Sequence, residues 1–356
     1  MPQQSTIAKR LFEDSLSGQV DRHVSVIAEA GVNHNGDVRL ARDLIDAAKF
    51  AGADAIKFQT FKSENIVTRK VMMADYQQQN LGEAGSQFEM LKKLELSLAD
   101  FRALQSYASS IDIEFISTPD DEESLDFLVD KLNMPLIKIG SGEVTNLPFL
   151  RKISGKSKPM ILSSGMSTLG EVERALATLQ GGGQPVTVLH CTSSYPCSPS
   201  DANLLAMTSM REAFGIPVGY SDHTLGAEVS LAAVALGATV IEKHLTLDKA
   251  MVGPDHAASL DPKEFAEFVR QIRRVEVSLG DGIKRPTAAE LVTKALVQRR
   301  IVTARDVSRG SLVAWSDLTF KRAESGIPVE HADLVVGRSF KTDLVADVPV
   351  QWSDLT

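Results

Sequence analysis

The chain has 356 residues, 43% of them hydrophobic, and a formal net charge of −8. That length suits a large α/β domain followed by a smaller module, and the acidic balance argues against nonspecific nucleic-acid binding, which needs a basic surface. No run approaches the roughly 20 apolar residues of a membrane helix, so no membrane partner is expected.

In chain order, the first twenty residues lack an apolar core and include Glu13 and Asp14, which argues against a secretory leader. Eight short, β-branched, apolar runs then follow, each ending in polar residues. They are VSVIAEA from Val24, DAIKFQT from Asp54, IEFISTP from Ile113, LIKIGSG from Leu136, PMILSSG from Pro159, VTVLHCT from Val186, IPVGYSD from Ile216 and TVIEKHL from Thr239. Between most of them the spacing predicts helices, from Val38 to Gly52, Asp120 to Leu132, Leu169 to Leu179, Leu225 to Leu236 and Pro262 to Leu279. Eight strand–helix units in series predict a (β/α)8 TIM barrel, whose active site lies at the C-terminal ends of its strands. The Gln- and Glu-rich segment from Lys62 to Ser97 reads as an extended loop over that face.

The barrel is expected to span residues 1–281, with a linker over 282–299 and a small β-rich domain over 300–356. In the tail, RDVSRGSLVAWSDL and TDLVADVPVQWSDL hint at an internal repeat, with two similar strand–turn caps as the simpler reading. Cys191 and Cys197 lie six apart in one strand-to-loop segment, which predicts free thiols in a reducing, cytoplasmic setting rather than a disulfide.

The strand ends carry the chemistry. Glu29 closes the first strand as a candidate general base or metal ligand. Lys57 and Gln59, two apart on the second strand, share the barrel-facing side. Lys57 and Lys138, with Ser141, Ser163, Ser193 and Tyr195, offer donors for a phosphate or carboxylate. A net-negative chain that binds an anion must depend on such local cations. His223 and His244 end neighbouring strands, an arrangement that suits two ligands of a divalent metal. His190 reads as core or as a support to that pair. Lys243 alternates with His244 and so points away from it. Asp255, in the loop GPDHAAS, reads either as a ligand-orienting carboxylate or as part of a turn.

The segments AEAGVNHNG, AIKFQTF, FISTP, KIGSGE, LHCTSSYP, GYSDHT, EKHLT and GPDHAAS, in this order, resemble the bacterial sialic acid synthase family, which includes N-acetylneuraminate, legionaminate and pseudaminate synthases. The tail resembles that family's antifreeze-like (SAF) domain. The resemblance implies condensation of phosphoenolpyruvate with an N-acylated hexosamine such as N-acetylmannosamine, or with a 2,4-diacetamido-trideoxyhexose, phosphate leaving by C–O cleavage. It implies a divalent ion, Mn2+ with Mg2+ or Co2+ as alternatives, held by His223 and His244, with Glu29 handling water or protons. Lys57, Thr118, Lys138, Ser141, Ser163, Ser193 and Tyr195 fall in phosphoenolpyruvate-binding segments. Gln59, Glu143 and Asp255 fall in acceptor-sugar positions, and Arg322 in the place of an arginine that reaches the partner's site in a domain-swapped homodimer. Ser193 stands where some members have Asn, and Ala323 where Pro is usual. Two rivals are a Schiff-base aldolase using Lys57 or Lys138 and a non-catalytic carbohydrate-binding protein.

Overall fold

A computed structural model describes residues 7–11, 23–82 and 84–356, so Glu13 and Asp14 of the N-terminal stretch lie outside the described residues. The chain divides into two units, Met1–Gly280 and Asp281–Thr356.

The first unit contains one eight-stranded sheet built from the eight apolar runs. Its strands are β1 (Ser25–Gly31), β2 (Ala55–Thr60), β3 (Glu114–Pro119), β4 (Ile137–Ile139), β5 (Met160–Ser163), β6 (Val186–Cys191), β7 (Val218–Asp222) and β8 (Val240–His244). The order β3-β2-β1-β8-β7-β6-β5-β4 is parallel at each hydrogen-bonded pair, and β3 lies beside β4, so the sheet curls into a barrel. Helices cover the outside. Val38–Ala51 begins where the Asp37 side chain accepts from Arg39 N, and ends at Gly52, whose φ of 78° suits a residue without Cβ. It buries Leu44, Ile45 and Ala48 against the sheet. Pro262–Leu279 starts at a reciprocal cap between Asp261 and Glu264 and buries Phe265, Phe268, Val269 and Ile272.

Three helices differ from the sequence pattern. The one expected from Asp120 starts at Glu122, capped by Asp121, and widens into a π turn over Phe127–Lys131. The one expected from Leu225 starts at Glu228, because Thr224 and Ser230 are drawn into bonds with Asp222. The residues read as a linker include the helix Ala288–Val297, capped by Thr287, on which no residue is buried.

The long segment after β2 is no open loop. It holds short helices at Ser63–Ile66, Asp75–Leu81 and Gln87–Leu94. Met73, Met90 and Leu94 there form a separate apolar cluster with Val32 and Phe61, which lie beyond the ends of β1 and β2. The polar composition hid this because the cluster needs only a few apolar residues.

At the N-terminal ends of the strands, Asp54 gathers charge. It binds Arg10, His23, Arg273 and the backbone of Val26 at 2.7 to 3.1 Å. Ile7 and Leu11, in the helical turn preceding the undescribed stretch, are buried in the barrel's core.

The second unit carries β9 (Arg299–Thr303) paired antiparallel with β10 (Leu318–Arg322). The repeat is structural. A shift of 37 positions carries Gly310 N→Phe340 O onto Asp347 N→Thr303 O, and Ala304 N→Asp317 O onto Lys341 N→Asp354 O. It also carries Arg309 N→Asp343 Oδ1 onto Ala346 N→Asp306 Oδ1, with Val307 and Leu344 exchanging two bonds at the centre. The two W-S-D-L pieces are matching 3-10 turns related by a local two-fold.

Candidate active site

Strand alternation puts Glu29, Lys57, Gln59, Lys138, Cys191, Ser221, Glu242 and His244 on the inner face of the barrel, toward its C-terminal mouth. Register makes Glu29 the neighbour of Lys57 on one side and of His244 on the other. Gly31, with φ 52°, lies where these chains meet. A Cβ there would sit 3.3 Å from Glu29 Oε1 and 3.5 Å from both Gln59 Nε2 and His244 Cε1.

A chain of alternating charge crosses the mouth. Glu29 Oε2 lies 2.8 Å from Lys57 Nζ, which lies 3.7 Å from Glu242 Oε2, and Glu242 Oε1 lies 3.5 Å from Lys138 Nζ. All four are buried. Burial pushes Glu242 up, but Lys138 and Lys57 outweigh it and hold the carboxyl at about 2. Burial raises Glu29, only partly countered by Lys57. Burial would lower Lys57, yet Glu242 and Glu29 keep it above its ordinary value, whereas Lys138 is lowered by burial. The hydrogen bonds of these ammonium groups are few. Lys57 donates to Thr118 at 3.2 Å and lies 2.8 Å from Glu29, and Lys138 donates to Ser163 at 2.7 Å and to the Ile139 carbonyl at 3.5 Å, so each ammonium keeps one proton beyond these for Glu242 or an anion.

Beside them, Ser141 Oγ accepts from Gly165 N at 2.9 Å, and a Cβ on Gly165 would strike Ser193 Oγ at 2.3 Å and Ser141 Oγ at 2.8 Å. The missing side chain leaves two hydroxyls converging on one small space.

The histidine rings lie 5.6 Å apart. His223 Nδ1 meets the Thr192 carbonyl at 2.8 Å, so Nδ1 carries the proton and Nε2 keeps its lone pair. His244 Nδ1 is buried with no hydrogen-bond partner, and burial holds the ring near 4, hence neutral at ordinary pH. Burial would lower the His223 ring, but Cys191 and the Thr192 carbonyl raise it above its ordinary value; its Nε2 and the unpartnered Nδ1 of the neutral His244 fit a divalent ion that displaces any proton there. Among the described residues no group of three or more His, Cys, Asp or Glu could hold a metal, so the pair leaves other positions to water or substrate.

The remaining candidates fall as follows. Tyr195 covers His223 at 4.0 Å between ring centroids and stacks on Tyr76 at 5.2 Å. Gln59 donates to Glu29 at 3.1 Å and, with Asp255, lines a cavity of about 210 Å3 beside His244. Burial raises the Asp255 carboxyl. Glu143, on the turn after β4, accepts from Asn146 and stands at the rim outside that lining. Arg322, at the end of β10, is exposed and belongs to the second unit. His190 turns outward to the Ala202 carbonyl at 2.7 Å. Lys243 also faces outward, buried against Asp222 at 2.8 Å.

Two residues escaped the sequence reading. Glu242 precedes His244 by two, so strand alternation alone could have placed it inside. Asp120 directly follows β3 and is pushed by burial to about 7, with Lys57 opposing and Glu143 and Glu29 adding to the rise.

The NeuB family pattern matches residues 44–284 and the SAF domain pattern residues 298–356. The chain is 46% identical to the N,N'-diacetyllegionaminic acid synthase of Legionella pneumophila, over 93% of this chain and 94% of that one. It is also 46% identical to the enzyme of that name from Campylobacter jejuni, over 88% and 94%. The crystal structure of N-acetylneuraminic acid synthetase from Leptospira borgpetersenii superposes with a TM-score of 0.67 at 35% identity, covering 76% of this chain and 90% of that one. With a NeuB match over most of the barrel, a SAF match following it in sequence and relatives of this identity, the chain is a member of the NeuB family.

Proposed function

We propose that the protein is a nonulosonic acid synthase joining phosphoenolpyruvate to the open-chain aldehyde of an N-acylated hexosamine and releasing inorganic phosphate. N-acetylmannosamine and a 2,4-diacetamido-trideoxyhexose are the two acceptor types, and names of relatives at 46% identity support the second. The observation that carries the reading is the pair of buried ammonium groups, Lys57 and Lys138, beside His223 and the unpartnered Nδ1 of His244.

Lys57 and Lys138, helped by Thr118, Ser141, Ser163 and Ser193, neutralise and orient the phosphate and carboxylate. The enol carbon C3 attacks the aldehyde carbon, and the aldehyde oxygen takes a proton. Water adds at C2 and gives up one proton; the bond from C2 to the bridging oxygen breaks, its electrons leave with phosphate, and the new C2 hydroxyl passes its remaining proton to phosphate as the ketone forms. A divalent ion held by His223 and His244 supplies Lewis-acid polarisation of the aldehyde when bound, Mn2+ being the expected metal. Glu29, its carboxyl raised by burial, is placed to carry the proton at the reacting centre.

Arg322 is assigned to the acceptor's N-acyl group in the site of a second copy, so the active form is a domain-swapped homodimer. Exposure of Leu291, Val292 and Leu296 on a helix that buries nothing in its own unit supports this. No helix among the described residues is long and apolar enough to cross a membrane, and Cys191 and Cys197 are free and buried, which supports a cytoplasmic enzyme.

The test is phosphate release from phosphoenolpyruvate with Mn2+ and each acceptor. Release should require acceptor and metal, and EDTA or His223→Ala should abolish it. Full activity of chelated His223→Ala protein would remove the metal assignment, and borohydride trapping of a lysine would favour a Schiff base instead. For the dimer, mixing inactive Glu29→Ala and Arg322→Ala proteins should restore partial activity; no recovery after subunit exchange refutes action in trans.

A further inference from the structure

One carboxyl group at the barrel mouth has no part in the synthase reading. Asp120 directly follows β3, and its amide extends the β2–β3 ladder by one step, donating to the Thr60 carbonyl at 3.1 Å. That bond fixes its backbone two residues beyond Thr118, which takes a hydrogen bond from Lys57. The side chain lies against Gly140, where a Cβ would sit 3.8 Å from Thr118 Cγ2 and 3.9 Å from Asp120 Oδ1. Gly140 leads into the turn Ser141–Glu143. With no side chain at Gly140, the carboxyl comes close to the backbone that carries Ser141 into the anion side of the mouth.

The surroundings suit a carboxylic acid better than a carboxylate. Lys57 favours the charged form, but that ammonium already meets Glu29 at 2.8 Å and Thr118 at 3.2 Å. Glu143 on the turn after β4, Glu29 on β1 and Asp121 next in the chain all oppose a further negative charge. Asp121 is itself satisfied, accepting from Ser124 N, Ser124 Oγ and Lys62 N at 2.8 to 2.9 Å, and Glu143 accepts from Asn146. The half-buried Asp120 side chain has no hydrogen bond or ion pair among the described residues. Titrating at about 7, it is divided between acid and carboxylate at neutral pH. An arriving anion adds charge of the same sign and tips it to the acid, which then has an O–H to donate.

We propose that Asp120 binds the phosphate of phosphoenolpyruvate as the carboxylic acid, taking one proton from solvent as the substrate enters and donating it in a hydrogen bond to a phosphate oxygen. The phosphate is the partner rather than the substrate's carboxylate, because its nearly double charge raises the acid more. The proton stays on Asp120 while phosphate is held and returns to solvent when it departs; no bond to carbon changes. This assignment rests on the synthase reading and adds to it a ligand and a proton count.

Calorimetric titration of the full chain with phosphoenolpyruvate alone, at pH 8 in two buffers of different ionisation enthalpy, counts the protons. Wild-type protein should take up about one proton more than Asp120→Asn, and its affinity should fall about fivefold more between pH 7 and pH 8. Asp120→Asn keeps an N–H donor, so it should bind at pH 8 at least as tightly as wild type. Asp120→Ala has no donor and should bind about tenfold more weakly at pH 7. Equal proton uptake in wild type and Asp120→Asn, or wild-type affinity in Asp120→Ala, overturns the inference and leaves the synthase reading intact. Pyruvate in place of phosphoenolpyruvate should cause no such uptake; uptake of the same size would overturn the phosphate assignment. Failure of wild type and both variants to bind phosphoenolpyruvate refutes the synthase reading, and the inference falls with it.

Discussion

The two ends of the barrel solve the same electrostatic problem in opposite ways. At the N-terminal end one carboxylate, Asp54, is met by Arg10, His23, Arg273 and a backbone amide, with good geometry throughout. At the C-terminal end two carboxylates and two ammonium groups are buried together, yet Glu242 Oε2 and His244 Nδ1 have no hydrogen bond and the lysines have donors unused. The first arrangement is complete without a ligand; the second is completed by one. Buried ion pairs by themselves therefore say little about function. Lys243 and Asp222, at zero side-chain exposure, are as buried as any group in the mouth and serve only the packing of helix against sheet.

The comparison can be broken by substitution. Lys138→Met should lower kcat/KM by about 10³-fold, on the scale of losing a preorganised donor. A loss of stability with activity retained would put Lys138 among the packing lysines. Glu242→Gln leaves Lys138 without a carboxylate and Lys57 with Glu29 alone, and should destabilise the free protein by about 3 kcal/mol. Phosphoenolpyruvate should then raise the variant's unfolding temperature more than it raises the wild type's; an equal shift would show that the substrate does not take over the carboxylate's place. Asp54→Asn should cost about 2 kcal/mol with kcat unchanged, read from urea unfolding and steady-state kinetics.

The smallest expected effect concerns acid. Burial holds His34 and His256, in the loops beyond β1 and β8, near 4 instead of 6.5. The unfolded chain binds protons more readily in that interval, so stability present above pH 6.5 falls as pH drops toward 4. His34→Gln should flatten this slope in thermal melts taken between those values; an unchanged slope would assign it to other groups.

The barrel was legible because eight apolar runs with polar ends are a strong periodic signal, and alternation placed Lys57 and Gln59 together without further help. The same alternation turns Glu242 inward, but the histidine two residues on carries the more distinctive chemistry. The stacking of Tyr195 on Tyr76 was not legible, because it depends on a partner more than a hundred residues away. The compact insertion and the helix Ala288–Val297 were not legible: the first takes its order from Val32 and Phe61 outside it, and the second buries none of its residues in its own unit.

The crossed hydrogen bonds of the C-terminal unit have a consequence of their own. Because each half satisfies backbone groups of the other, the unit behaves as a dimer whose two subunits were joined end to end. The connecting chain supplies a high effective concentration, so the pairing does not depend on how dilute the protein is. Severing the chain between Ser339 and Lys341 would turn an intramolecular fold into an association equilibrium, with two fragments that must find each other to hold any shape.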